Sequence, residues 1–155
     1  MKKFLLIVSV ALALTSCNKT DYKAVGEQYA KQLIDLCQKN DTAAVLALND
    51  SIRAFEQQQL VNATPEDADA FYRAMSEARD KSATFITVAK MESGGTKEDA
   101  VQDVINDALN GGGNISTVTR SVQAANEVEK KQGKAPVENE NVRRLKERAA
   151  ASGTH

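Results

Sequence analysis

The sequence predicts an all-α protein, a single bundle of about five helices followed by a flexible basic C-terminal tail. Three observations support this fold class. Apolar residues recur every three or four positions through most of the chain, which is the spacing of one helix face. The β-rich residues 85–88 continue such a stripe with no turn signal before them, so no strand is expected. A chain of 155 residues is long enough for one domain with its own core.

The first two helices are predicted as a hairpin. Their apolar stripes are Tyr22, Val25, Tyr29, Leu33 and Leu36, then Val45, Leu48, Ile52, Phe55 and Leu60. Asn40 and Asp41 interrupt the pattern between the stripes, and Asp41 is placed to cap the second helix. Because so short a connection joins antiparallel neighbours, we expect the two helices to pack side by side.

The third helix has a strong start signal. Thr64 offers a capping hydroxyl, Pro65 suits the first helical position, and Glu66 and Asp67 place acids in the first turn. The inward face that follows consists of Phe71, Met75, Ala78, Ser82, Phe85 and Ala89. We expect a long helix of about seven turns that ends before the glycine pair 94–95.

Two shorter helices complete the predicted bundle. Thr96, with Asp99 three residues later, resembles a capping box, and Asn114 is placed to cap the last helix. Three glycines at 111–113 separate the two helices. The predicted inward residues are Val101, Val104, Ile105, Ala108 and Leu109 in the fourth helix and Ile115, Val118, Val122 and Ala125 in the fifth.

The front of the chain has the layout of a secretory signal. Two lysines precede an apolar run at residues 4–14, and small residues follow it. This run of 11 residues is too short to span a bilayer, which needs about 20 apolar residues. The sequence therefore predicts a cleaved export signal.

The end of this segment, Leu14-Thr15-Ser16-Cys17, resembles the lipobox of bacterial lipoproteins. The resemblance covers about the first 18 residues. It implies that Cys17 receives a diacylglyceryl group and becomes the first residue of the mature chain, which is then attached to a membrane by lipid. Since Asn18 stands where an Asp often retains lipoproteins in the inner membrane, the resemblance favours the outer membrane, facing the periplasm.

Four segments follow from these predictions: a signal peptide at 1–16, a lipidated tether at 17–21, a helical domain at 22–132, and a polar, basic, partly disordered tail at 133–155. The net charge also differs in sign between the body of the chain and its C-terminal part. Without Lys2 and Lys3 the chain has 18 basic and 21 acidic residues, a net charge of −3. Residues 129–155 have a net charge of +3, which leaves −6 on residues 17–128.

Asp99, Asp103 and Asp107 form the most noticeable charge pattern, a row of carboxylates spaced by four on the fourth helix. The row is a candidate docking site for a cation, for a basic partner, or for the chain's own Arg143, Arg144, Lys146 and Arg148. The simpler interpretation is a solvated acidic face.

Several classes of function are disfavoured by composition. The only histidine is His155, so we predict no metal site, no cofactor and no catalytic residues of the usual kinds. A pI near 5.9 and a net charge of −1 argue against nucleic-acid binding. Cys37 lies on or beside an apolar stripe, where a buried, unreactive thiol is the expected state.

Two tripeptides bear on modification. Asp41-Thr42-Ala43 and Asp50-Ser51-Ile52 resemble an acceptor pattern for O-glycosylation of envelope proteins in some Gram-negative bacteria, with Thr42 and Ser51 as the acceptors.

The sequence therefore predicts a membrane-anchored, non-enzymatic envelope lipoprotein that binds, adapts or supports an envelope protein or polymer. Three alternatives stay open: an immunity or inhibitor lipoprotein that occludes one protein partner, an enzyme using paired carboxylates, and a binder of anionic polymer or lipid headgroups through the tail.

Overall fold

The structure is a computed structural model that describes residues 20–110, 114–133 and 143. The signal peptide, Cys17, Arg144, Arg148 and most of the predicted tail lie outside the described residues. The described part contains five α-helices, a short 3₁₀ turn at Leu60–Asn62 and no strand, which confirms the all-α class. The helices are α1 at Tyr22–Gln38, α2 at Thr42–Gln58, α3 at Pro65–Glu92, α4 at Lys97–Leu109 and α5 at Ile115–Lys131.

Side-chain caps fix the starts of these helices. The four predicted caps are confirmed, since each side chain accepts a hydrogen bond from the backbone N–H three residues later: Asp41, Thr64, Thr96 and Asn114. The Thr96 hydroxyl also donates to Asp99 Oδ2 at 2.8 Å. Asp21 caps α1 in the same way, a role that the sequence analysis did not assign.

The long helix α3 organises the bundle. Its 28 residues extend over about 42 Å, so that α1 and α2 pack towards its N-terminal end and α4 and α5 towards its C-terminal end, with an overlap between Ala83 and Ile86. Helix α4 runs antiparallel to α3, because Arg79 pairs with Asp107 while Thr87, two turns further along α3, donates to the Ala100 carbonyl.

Two apolar clusters form the core. The first joins α1, α2 and α3 as far as Ile86, around Val25, Leu33, Val45, Leu48, Ile52, Leu60, Phe71, Met75, Ala78 and Ile86. The second joins α3 from Ala83 onwards with α4 and α5, around Ala83, Met91, Ala100, Val101, Val104, Ile105, Val118, Val122, Ala125 and Val128. Phe55 and Phe71 stack at 5.3 Å between ring centroids in the first cluster.

For three predicted inward residues the structure differs from the prediction, either in exposure or in the element that contains the residue. Leu109 and Ile115 are exposed. They are the last residue of α4 and the first of α5. Leu60 is buried as expected, but α2 ends at Gln58 and Leu60 begins the 3₁₀ turn. In the described ranges no helix combines the length and the hydropathy that crossing a membrane requires.

Candidate functional site

The predicted acidic row on α4 changes environment along its length. Asp99 is exposed, Asp103 retains 20% of its side-chain exposure, and Asp107 is buried. Residues four apart on a helix are rotated by about 40°, so the row turns from solvent towards α2 and α3. The interpretation as a solvated face is therefore wrong for Asp103 and Asp107.

Both carboxylates belong to what we call the ion-pair cluster. Its members come from three helices and comprise three cations, three carboxylates and one amide: Asn49, Arg53 and Glu56 of α2, Arg79 and Lys90 of α3, and Asp103 and Asp107 of α4. The formal charges of this set sum to zero.

Two arginines pair with the Asp107 carboxylate. Arg79 Nη1 donates a hydrogen bond to Asp107 Oδ1 at 2.6 Å, and Arg53 donates two hydrogen bonds to the same carboxylate, at 2.6 and 2.9 Å. Both arginines also contact Glu56, Arg53 through a 3.0 Å hydrogen bond and Arg79 through a closer ion pair. Planar guanidinium groups suit this shared, bidentate pairing with carboxylates.

Asp103 forms the outer edge of the cluster. Its Oδ2 accepts hydrogen bonds from Lys90 Nζ at 2.5 Å and from Asn49 Nδ2 at 3.2 Å, and Arg53 Nε lies 3.6 Å away. Burial alone would raise the pKa of Asp103, but the Arg53 charge and the Lys90 and Asn49 hydrogen bonds outweigh it and hold that pKa below its usual value. Asp103 is therefore ionised at neutral pH.

The pKa of Arg53 moves in the opposite direction. Burial disfavours its charged form, but the hydrogen bond and charge of Asp107, with the charges of Asp103 and Glu56, raise the pKa above the usual arginine value. Arg53 thus remains a fixed cation.

This arrangement offers strong positioning and little room for a substrate. The adjoining cavity has a volume of about 10 Å³, roughly the space of one water molecule. Each carboxylate is paired with at least one cation, and the pKa of Asp103 is lowered, whereas a general acid needs a raised pKa. In the ranges that the structure describes, no group of three acidic, histidine or cysteine side chains is arranged to hold a metal ion.

Among the described residues, the other predicted site residues are exposed. Thr42 and Ser51 are exposed on α2, and the Ser51 hydroxyl donates to the Ala47 carbonyl at 2.9 Å. Arg143 is exposed. Docking at Asp99 and glycosylation of Thr42 and Ser51 stay predictions, as does a docking role for Arg143, Arg144 and Arg148.

The cations that pair with Asp103 and Asp107 were not predicted from the sequence. A local signal existed, because Arg53 follows the stripe residue Ile52 and Arg79 follows Ala78. Asn49, Glu56 and Lys90 likewise each follow a predicted inward residue. Polar residues at the edge of an apolar stripe lie where two helices meet, so such a series indicates pairing between helices.

Comparison of the chain with protein-family models, with curated proteins and with solved structures gives no significant match in any of the three.

Proposed function

We propose that this chain is a lipid-anchored envelope protein whose helical domain acts as a non-enzymatic binding, adaptor or structural component. The observation that carries the proposal is the sequence around Cys17, where a charged start, an apolar run and small residues precede a cysteine in the register of a lipobox. Two or three acyl chains on one residue anchor a protein stably, whereas a single chain does not.

The position of α1 supports a domain held close to the membrane. The α1 cap is Asp21 and the helix begins at Tyr22, so the tether that separates the domain from the lipidated residue is residues 17–21. Five extended residues span at most about 17 Å. A partner would therefore meet this domain beside the bilayer, with Asn18 favouring the periplasmic face of the outer membrane.

The ion-pair cluster supports a non-catalytic role for the acidic row. Asp103 is ionised and occupied by Lys90 and Asn49, and Asp107 is shared by two arginines. Both carboxylates have cationic partners, and the adjoining cavity leaves little room for a substrate. The cluster instead holds α2, α3 and α4 in a fixed relation, which suits a domain that presents a rigid surface.

Substitution of the anchor residue tests the proposal. The Cys17→Ala variant should lose palmitate labelling and move from the membrane fraction to the soluble fraction, because no thiol remains to be acylated. The Cys37→Ala variant is the matched control and should keep both the label and the membrane location. Palmitate labelling of the Cys17→Ala variant at the normal level would refute the proposal.

The membrane itself is tested separately. Separation of inner and outer membranes on a density gradient should place the native chain in the outer membrane and the Asn18→Asp variant in the inner membrane. Native protein found in the inner membrane would contradict the outer-membrane assignment and leave the lipid anchor intact.

A further inference from the structure

The small cavity beside the ion-pair cluster is lined by residues of α1, α2, α3 and α4, and its volume is about 10 Å³. To hold one water molecule, a cavity needs about 10–15 Å³ and roughly two to four polar partners. The space therefore suits a single occupant of about the size of water, and the polar groups on its wall decide whether one binds.

Two residues on the cavity wall each carry a buried polar atom that has no hydrogen-bond partner among the described residues. These atoms are the Ser82 hydroxyl of α3 and Arg53 Nε of α2. Ser82 is 1% exposed, so bulk solvent does not reach its hydroxyl. A buried donor without a partner is costly, and native proteins nearly always satisfy such groups. An acceptor inside the cavity would satisfy both donors.

Asp103 of α4 adds an acceptor on the same wall. Its Oδ2 lies 3.6 Å from Arg53 Nε, which is too long for a direct hydrogen bond. A bridging water connects polar groups at such a separation almost as well as a direct hydrogen bond does. Because an ionised carboxylate only accepts hydrogen bonds, the wall combines two donors with one acceptor. It therefore calls for a ligand that both accepts and donates.

The charges on the wall favour a neutral ligand. Asp103 and Asp107 line the cavity and repel an anion. Arg53 and Arg79 line it as well and repel a cation. Since the formal charges of the ion-pair cluster already sum to zero, a neutral occupant leaves them balanced. Water is the neutral ligand of this size that both donates and accepts hydrogen bonds.

We propose that the cavity binds one structural water molecule, which joins α2, α3 and α4. Arg53 Nε and Ser82 Oγ each donate a hydrogen bond to the water oxygen, and the water donates one to the Asp103 carboxylate. About three hydrogen bonds are usual for a buried water. The site goes beyond the proposed function, because it does not depend on acylation of Cys17.

A crystal structure of the purified full chain, at a resolution that shows ordered water, tests the site directly. We expect one peak of electron density in the cavity, about 2.7–3.2 Å from both Arg53 Nε and Ser82 Oγ. Serine hydroxyls within helices can instead donate to the carbonyl four residues earlier, which is that of Ala78 here. A Ser82 hydroxyl on the Ala78 carbonyl, a cavity without density, or a peak with the height of an ion would overturn the proposal.

Stability measurements test the same contact in solution. Ser82→Ala removes one partner of the water and should lower the urea midpoint by about 0.5 M. If the hydroxyl has no partner, its removal should leave the midpoint unchanged or raise it, because the cost of burying the hydroxyl disappears.

Ser121→Ala is the matched control. Ser121 is fully buried on α5, its hydroxyl has no hydrogen-bond partner among the described residues, and it does not line this cavity. This variant should not lower the urea midpoint. Equal losses in the two variants, or no loss in Ser82→Ala, would equally overturn the proposal.

Discussion

Burial decides what each charged side chain contributes in this protein. On α3, Arg73 is 79% exposed and pairs with Asp69, whereas Arg79 is 5% exposed and pairs with Glu56 and Asp107. Exposed pairs contribute little to stability because water competes for both partners. A buried pair has already lost its water, so its charges depend on each other.

The two arginines allow a direct test of this difference. Arg79→Met should lower the free energy of unfolding by about 3 kcal/mol, because Glu56 and Asp107 would share Arg53 alone in a place with little water. Arg73→Met, the matched control on the same helix, should lower it by less than about 1 kcal/mol. The measurement is urea unfolding followed by circular dichroism. Similar losses in the two variants would show that burial of Arg79 has no energetic consequence.

At the scale of the helix, local signals were sufficient for four of the five starts and for the end of α3 before the glycine pair 94–95, but not for the end of α2 at Gln58. A cap involves a side chain and a backbone N–H three residues later, so the roles of Asp41, Thr64, Thr96 and Asn114 follow from adjacent sequence. The apolar stripe, however, does not show where a neighbouring helix stops. Leu109 and Ile115 continue their stripes in sequence, but they are terminal residues of their helices and are exposed in the structure.

The ion-pair cluster could be predicted only in part. The spacing of Asp99, Asp103 and Asp107 is visible in one helix. Both arginines that pair with Asp107 are distant from it in sequence: Arg53 lies 54 residues away and Arg79 lies 28 residues away. Pairing over such separations depends on how α2, α3 and α4 pack, which periodicity within one helix does not determine.

Close contact between α1 and α3 depends on one glycine. A Cβ atom at Gly26 would lie 2.9 Å from Ala74 Cβ and 3.0 Å from the Phe71 carbonyl oxygen. Glycine is normally unfavourable within a helix by about 1 kcal/mol relative to alanine, so its presence in the middle of α1 fits a requirement for close approach.

The Gly26→Ala substitution should therefore destabilise the protein despite the better helix propensity of alanine. Overpacking of this kind costs about 1–3 kcal/mol, which exceeds the gain in propensity, and we expect a net loss of about 1 kcal/mol. Lys31→Ala, on the exposed face of the same helix, should change the stability by less than about 0.5 kcal/mol. Thermal unfolding of the two variants measures the difference, and a stabilised Gly26→Ala variant would refute the close-approach explanation.

At the scale of the whole molecule, two apolar clusters share the helix α3, and the ion-pair cluster links them by a second route. Arg53 and Asn49 extend from α2, which packs in the first cluster, to Asp107 and Asp103 on α4, which packs in the second. The relation between α2 and α4 thus depends on hydrogen bonds between charged and polar side chains. Conditions that discharge the carboxylates should weaken this link.

Asp103 gives the link a defined dependence on pH. Its pKa in the folded protein is held below the value of about 3.9 expected in the unfolded chain. A group of this kind stabilises the fold fully above its unfolded pKa, and the stabilisation is lost as the pH falls through the lower, folded pKa. We therefore expect the urea midpoint of the native chain to fall as the pH drops below about 4.

The Asp103→Asn variant separates this contribution from that of the other carboxylates. It should be less stable than the native chain at pH 7, where Lys90 and Arg53 lose a charged partner. The difference should shrink as the pH falls from about 4 towards the lowered pKa of Asp103 in the folded protein. Asp50→Asn, a change at an exposed position of α2, should leave the pH dependence as it is in the native chain. If Asp103→Asn and the native chain lose the same free energy of unfolding between pH 7 and pH 3, the ionisation of Asp103 does not hold α2 and α4 together.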